Sequence, residues 1–438
     1  MTSKLMAGVA LCGLVAFSLP VSAADMPVRA PVAKAPPVAI FNWTGGYIGA
    51  NYGTGISEVD GTTATITGSV DRADDRFTIG AQLGYNWQID PRWVFGLEAD
   101  IGWLGIDRHR GDWNDPAFTL GVKTDWYATA RARLGTTNGP SLFFVTAGAA
   151  FVDVTNTFTF AANPTASASK VASGWTAGAG IETMLGGNWT SKTEYLYIDA
   201  GSQSVFDPAT AFTTAYDNRF HVFRKALNYR FGGPSVQAAA LPAHNWNGFY
   251  VGVNLGSGLS QVHGNTNPAI GGSFDIADSA FNGGVQAGYN WQFAPHWVVG
   301  VEADIGWLGF DRLRRNWNEV VVFGVETDWY ATLRGRLGYS TGPALLYVTG
   351  GAAFVKTTNH VNNVIGPVNA SSSDTSSGWV IGSGLEAALG GNWTATTEYL
   401  LIDAGSQDVT NLAVVATPTR FENKFHVFRF GLNYKFGS

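Results

Sequence analysis

Two segments that lie 203 residues apart read almost alike: WTGGYIGANYG from Trp43 and WNGFYVGVNLG from Trp246. The match continues along the chain. KTDWYATARARLG from Lys123 recurs as ETDWYATLRGRLG from Glu326, again at an offset of 203. GGNWTSKTEYLYIDAGSQ from Gly186 recurs from Gly390 at an offset of 204. FHVFRKALNYRF, Phe220 to Phe231, recurs as FHVFRFGLNYKF, Phe425 to Phe436, at 205. A complete unit of roughly 190 residues is therefore written twice, and whatever it folds into must be built twice.

Within a copy the hydrophobic period is two. In RFTIGAQLGYNWQ one face carries Phe77, Ile79, Ala81, Leu83, Tyr85 and Trp87, and the other Thr78, Gly80, Gln82, Gly84 and Asn86. Alternation over more than ten residues indicates a strand with one apolar face. Its length exceeds the usual ~5–6 residues of a soluble strand and fits the ~9–11 that cross a bilayer with tilt. Eight such segments are expected in copy one, near 43–53, 76–88, 92–105, 122–136, 141–155, 173–186, 189–201 and 219–231. Their connections alternate between tight turns (IDPR, TNGP, GGN) and long polar stretches around 54–75, 106–121, 156–172 and 202–218. Short turns on one side and long loops on the other are the pattern of an outer-membrane barrel. Copy two repeats the plan with FAPH, STGP and GGN.

Composition agrees with an all-β membrane protein. Charged residues are only 14%, against about 25% in ordinary soluble domains, while aromatics reach 13% and Gly numbers 55. Mean hydropathy is nevertheless near zero, which excludes a bundle of membrane helices. The net charge of −6 provides no basic footprint, so nucleic acid is not an expected partner. Residues 1–23 read as a cleaved secretory signal, with Lys4 ahead of an apolar run and a small-residue site at Val21-Ser22-Ala23. That run is too short to span a bilayer. It contains Cys12, the single cysteine, so no disulfide or thiolate chemistry is expected in the mature chain. Residues 24–40 and 233–244 read as Pro/Ala-rich linkers, leaving barrels at 41–232 and 245–438.

The WTGxYxGxNxG opening, the EADIGW strand, the GGNWT turn and the NYKF closing strand together resemble the alphaproteobacterial small outer-membrane β-barrel proteins, the RopB-type immunogenic proteins. The resemblance covers each copy nearly end to end, although that family usually carries one barrel per chain. It implies insertion by the outer-membrane assembly machinery, contact with outer-membrane lipid and lipopolysaccharide, and a structural, surface-exposed role. Lipopolysaccharide or haem binding at the outer loops is a lesser implication. The fold expected is two tandem eight-stranded up-and-down barrels. The alternative is one 16-stranded, porin-like barrel that conducts small solutes. The closing-strand sequence at the end of copy one and the long linker favour two; Lys225, outward where copy two has Phe430, argues the other way unless it marks a barrel–barrel contact within the chain.

The same phase decides the chemistry. VFGLEADIGWLGIDR and VVGVEADIGWLGFDR each keep two carboxylates in an apolar stretch. If Leu97, Ala99 and Ile101 face lipid, Glu98 and Asp100 face inward. By the same rule the interior receives Arg131, Arg133, Glu182, Glu194 and Arg224, and in copy two Glu302, Asp304, Arg334, Arg336, Glu386, Glu398 and Arg429. Mixed charge inside a narrow barrel predicts a filled, ion-paired lumen rather than a catalytic acid/base pair. No catalytic, cofactor-binding or metal-ligating set is expected, and no cofactor. Gly382, Gly384 and Ala387 fit GxGxxA without the βαβ setting that dinucleotide binding needs. His221 and His426 are expected at an aromatic belt or rim. Arg108, Arg110, Arg312, Arg314 and Arg315, where the third strand leaves the membrane, have forked donors suited to lipopolysaccharide phosphates or carboxylates.

Overall fold

The computed structural model describes residues 41–63, 66–111, 118–160, 163–231, 244–266, 273–315, 321–363, 369–411 and 418–437. The expected signal at 1–23, the first linker and all of the second linker but His244 lie outside them. Copy one forms β1 (Gly45–Thr63), β2 (Ile66–Gln88), β3 (Trp93–Trp103), β4 (Asp107–Gly111), β5 (Phe118–Asn138), β6 (Ser141–Phe160), β7 (Ala166–Gly186), β8 (Trp189–Asp207) and β9 (Phe212–Phe231). Copy two forms β10 (Gly248–Thr266), β11 (Ser273–Ala294), β12 (Trp297–Trp307), β13 (Asp311–Arg315), β14 (Val321–Ser340), β15 (Ala344–Asn363), β16 (Asn369–Gly390), β17 (Trp393–Val409) and β18 (Thr419–Lys435).

Each copy closes on itself. Sequential strands pair antiparallel, β3 and β4 both run along β5, and β1 pairs with β9 from Gly46↔Phe231 to Thr63↔Thr214. β10 pairs with β18 in the same way. Eight positions thus close each ring, and the single 16-stranded barrel is overturned: β9 spends its edge on β1, leaving none for a shared wall. The third position is split rather than continuous through 92–105. Gly105, at φ 60°, turns the chain so that Leu104 and Ile106 are both fully buried in the core cluster. At the closing seam a Cβ on Gly53 would sit 1.9 Å from the Phe223 carbonyl oxygen, and one on Gly256 would sit 1.9 Å from that of Phe428. Only glycine lets the first and last strands approach this closely.

The expected long loops are another correction. Strands other than the split ones run to 17–23 residues, about twice what a bilayer crossing needs, so most of those stretches are β-ladder. The polarity of the wall inverts along each strand. On β6 the outward Val145, Ala147, Ala149 and Phe151 give way to Asp153, Thr155 and Thr157. The inward side changes from Thr146 and Gly148 to the buried Val152, Val154 and Phe158. On β8 the inward Lys192 and Glu194 are followed by Leu196 and Ile198. In the lower part apolar residues such as Ile79, Leu83 and Ile101 are more than half exposed on the outer wall. In the upper part most large apolar residues are inside, as in a water-soluble barrel, although Val171 and Phe206 stay exposed. Each copy is therefore a membrane barrel continued upward by an arm with its own hydrophobic core.

Candidate functional site

The lower lumen of copy one is a buried ion-pair layer. β3 aims Glu98 and Asp100 inward opposite Arg131 and Thr129 of β5, by direct register. Arg131 bridges three carboxylates: it pairs with Glu98, donates to Asp100 Oδ2 at 2.8 Å, and donates to Glu194 Oε2 at 3.1 Å. Arg224 on β9 donates to Glu194 Oε1 at 2.8 Å and to Asp100 Oδ1 at 3.0 Å. Arg133 donates to Glu182 Oε2 at 2.9 Å. Lys192 Nζ lies 2.8 Å from both oxygens of Glu98. Alongside these pairs Asn51, Gln82 and Asn228 form an amide chain that ends on Glu182. All these side chains are buried. Charges taken from water are tolerable only with this density of partners.

Copy two repeats the layer with one fewer cation. Arg334 pairs with Glu302 and donates to Asp304 at 2.7 Å and Glu398 at 2.8 Å. Arg429 donates to Glu398 at 2.8 Å and Asp304 at 3.1 Å. Arg336 donates to Glu386 at 2.7 Å. The position of Lys192 is held by Thr396, which faces Glu386 as Lys192 faces Glu182. A neutral donor takes over part of its work: Tyr347, where copy one has Phe144, gives its hydroxyl to Glu398 Oε1 at 3.1 Å.

Sequence reasoning missed the plugs. Trp43 and Trp246, each two positions ahead of the first strand of its barrel, are almost completely buried at the turn-side end of the lumen. Trp43 packs with Val94, Leu142, Phe144 and Met184 beneath the Arg230 guanidinium, and Trp246 with Val298, Leu345 and Tyr347. Tyr47 and Tyr250 were also missed. Their hydroxyls donate to Glu98 and Glu302, each at 2.6 Å. The signal was available, since both tyrosines lie on the inward phase of the YIGANYG and YVGVNLG repeats. At the other end Leu104, Ile106, Tyr127, Leu196 and Val222 close the lumen of copy one.

The five arginines lie at the arm bases, on β4 and β13. Arg108 donates to both oxygens of Asp275, at 3.0 and 2.8 Å, and Arg110 Nε stands 3.6 Å from the same carboxylate. Arg314 pairs with Asp60 and lies 2.6 Å from Asp71, and Arg312 reaches Asp60 at 3.3 Å. These partners belong to the other copy, and lipopolysaccharide phosphates would have to displace them. The side chain of Arg315 lies outside the described residues. His221 and His426 correct the belt expectation. Both are buried beneath tyrosines, with Tyr195 and Tyr399 hydroxyls 2.8 Å from their Nδ1 atoms.

A closed antiparallel barrel with an apolar outer band and an ion-paired interior belongs to the class of outer-membrane β-barrel proteins. The family model described as "Outer membrane protein beta-barrel domain" matches residues 10–231 and again 233–436, and the chain belongs to this family. It is similar to the 31 kDa outer-membrane immunogenic protein of Brucella melitensis, 37% identical over 232 residues, covering 49% of this chain and 95% of the relative. The 22 kDa outer membrane protein of Rhizobium leguminosarum bv. viciae is 35% identical over 178 residues, covering 39% of this chain and 71% of its own length. The 25 kDa outer-membrane immunogenic protein of Brucella melitensis is 32% identical, covering 50% and 94%. Among solved structures, Neisserial surface protein A matches 44% of this chain and 100% of its own at 14% identity and a TM-score of 0.26. Each of the three sequence relatives covers about one copy of this chain. The chain is an outer-membrane surface protein with two barrels.

Proposed function

We propose that this protein is a non-conducting, non-catalytic structural element of the outer membrane, whose two barrels hold rigid β-arms at the cell surface. The observation that carries this reading is the three-tier filling of each lumen: a tryptophan plug, a layer of paired charges and an apolar cap. An open channel needs a continuous water path, and buried ion pairs sealed between apolar layers oppose one. Each lumen carboxylate is engaged by fixed cationic or hydroxyl donors, which disfavours its use as a general base, although Asp304 Oδ1 has no hydrogen-bond partner. The surface role agrees with the word "immunogenic" in the names of two relatives. The test is single-channel recording on the purified full-length protein in planar bilayers. Silence is expected, and stable porin-sized steps would refute the reading. Antibodies against arm residues 150–160 should label intact cells.

A further inference from the structure

The outer wall is not uniformly greasy, and its exceptions coincide in space. On β7, β8 and β9 the outward positions include Ile181, Thr183, Thr193, Tyr195 and Phe223, each at most 9% exposed. In copy two the corresponding Leu385, Ala387, Thr397 and Phe428 are at most 1% exposed. Elsewhere on the same walls outward residues such as Leu97 and Val301 are 49% and 58% exposed. Small and hydroxylated residues are a poor choice against lipid and a good one where two membrane segments approach closely. Lys225 falls in this patch, and its ammonium reaches the Gly384 carbonyl of the other copy at 3.4 Å. A lipid-facing lysine near mid-bilayer would cost far more than one so placed.

The contacts are also exchanged in pairs. Tyr195 stacks on Phe428 at 5.3 Å and Phe223 on Tyr399 at 4.9 Å, with Phe223 and Phe428 themselves 5.5 Å apart. Tyr195 is the repeat counterpart of Tyr399, and Phe223 that of Phe428. Above the membrane Arg108 binds Asp275, while Arg312 and Arg314 lie against Asp71, the counterpart of Asp275. β4 lies against β11 as β13 lies against β2. Residue i of one copy meeting j of the other, and j meeting i, is the signature of a two-fold interface.

We propose that the two barrels are docked as an internal pseudo-twofold pair, in which the β7–β9 wall and arm base of each copy form the binding surface for the other copy of this chain. The occupant of each surface is thus the second repeat, delivered by the linker.

The experiment uses the full-length chain with Cys12 replaced by Ser and a protease site placed in the 233–244 linker. Two junction pairs are made separately, Phe223→Cys with Phe428→Cys and Ile181→Cys with Leu385→Cys, and one control pair, Leu97→Cys with Val301→Cys. Isolated outer membranes are treated with a short bis-methanethiosulfonate reagent and then cleaved at the linker. Both junction pairs are expected to keep the halves together as one full-size band that reducing agent splits, with half-size bands alone from the control. Arg108→Asp should cause loss of the cross-link at 181 and 385, and adding Asp275→Arg should restore it. Half-size bands from both junction pairs would overturn the proposal. So would cross-linking between separate chains, seen as double-size bands before cleavage.

Discussion

Glu98 is the most informative single target because two cations and a tyrosine hydroxyl converge on its carboxylate. It receives Arg131, both contacts of Lys192 at 2.8 Å and the Tyr47 hydroxyl at 2.6 Å, with Arg133 3.7 Å away. Glu98→Gln keeps the volume but removes the charge and turns an amide N–H₂ toward cationic donors. Two charge-assisted hydrogen bonds, at about 1.5–3 kcal/mol each, are weakened. The loss should be about 3–5 kcal/mol, the usual cost of breaking a buried pair. Arg131→Gln alone should cost a similar amount, because Asp100 and Glu194 each lose a donor while keeping Arg224. The double variant restores charge balance and should fall short of the summed losses by about 1–3 kcal/mol. The assay is urea unfolding of the full-length protein in detergent, read by heat-modifiable gel mobility after linker cleavage, so that the unaltered copy two is the reference. Additivity within about 0.5 kcal/mol would refute a coupled lumen.

Copy two offers the converse experiment: Thr396→Lys with Tyr347→Phe rebuilds the copy-one arrangement and should raise the urea midpoint of that half, whereas Thr396→Met should not. At the seam, Gly256→Val should stop β10 from pairing with β18, so that copy two loses heat-modifiable mobility while copy one retains it. The arm of copy two should lose stability with rising pH between about 4 and 7. Burial pushes the Asp278 carboxyl up to about 7, so the folded arm holds a proton that an unfolded Asp releases near 3.9, and folding weakens until both states are ionised. Hydrogen exchange across this window should show the decline, and Asp278→Asn should flatten it. Asp275 has the opposite sign. Although burial opposes ionisation, hydrogen bonds from His263 and Arg108 hold its carboxyl below the usual range, so its contribution is present above about pH 4 and is lost on acidification. Asp275→Asn should therefore reduce the acid sensitivity of the junction cross-link.

Much of this molecule was legible in its period-two pattern. IDPR, TNGP and GGN form the β2–β3, β5–β6 and β7–β8 connections or overlap the strand ends there, where tight turns were expected. The inward phase of Glu98, Arg131, Glu194 and Arg224 also follows from alternation alone, because a strand offers a side chain only two faces. The neighbouring-strand pair of Glu98 with Arg131 follows from the shared inward phase, but partners across the lumen were not legible, such as Glu194 for Arg131. The arms were hidden by the polarity inversion. Beyond Phe151 the strand phase continues, but its apolar face changes sides, so a search for lipid-facing residues finds only a polar loop. The junction left the faintest trace. Thr193, Thr397 and Lys225 are odd choices for a lipid-facing wall, yet only three-dimensional closure brings them to one side.

The inversion on β6 and β8 means that the same backbone ladder is immersed in two solvents. Its lower rungs are held by exclusion from hydrocarbon, its upper rungs by exclusion from water. A detergent that strips lipid therefore threatens the lower storey and leaves the upper one in its native medium, while urea attacks first the storey that water already surrounds. Because the rungs share strands, each storey acts as a clamp on the fraying of the other. Resistance to any one denaturant is then set by the half that denaturant does not reach.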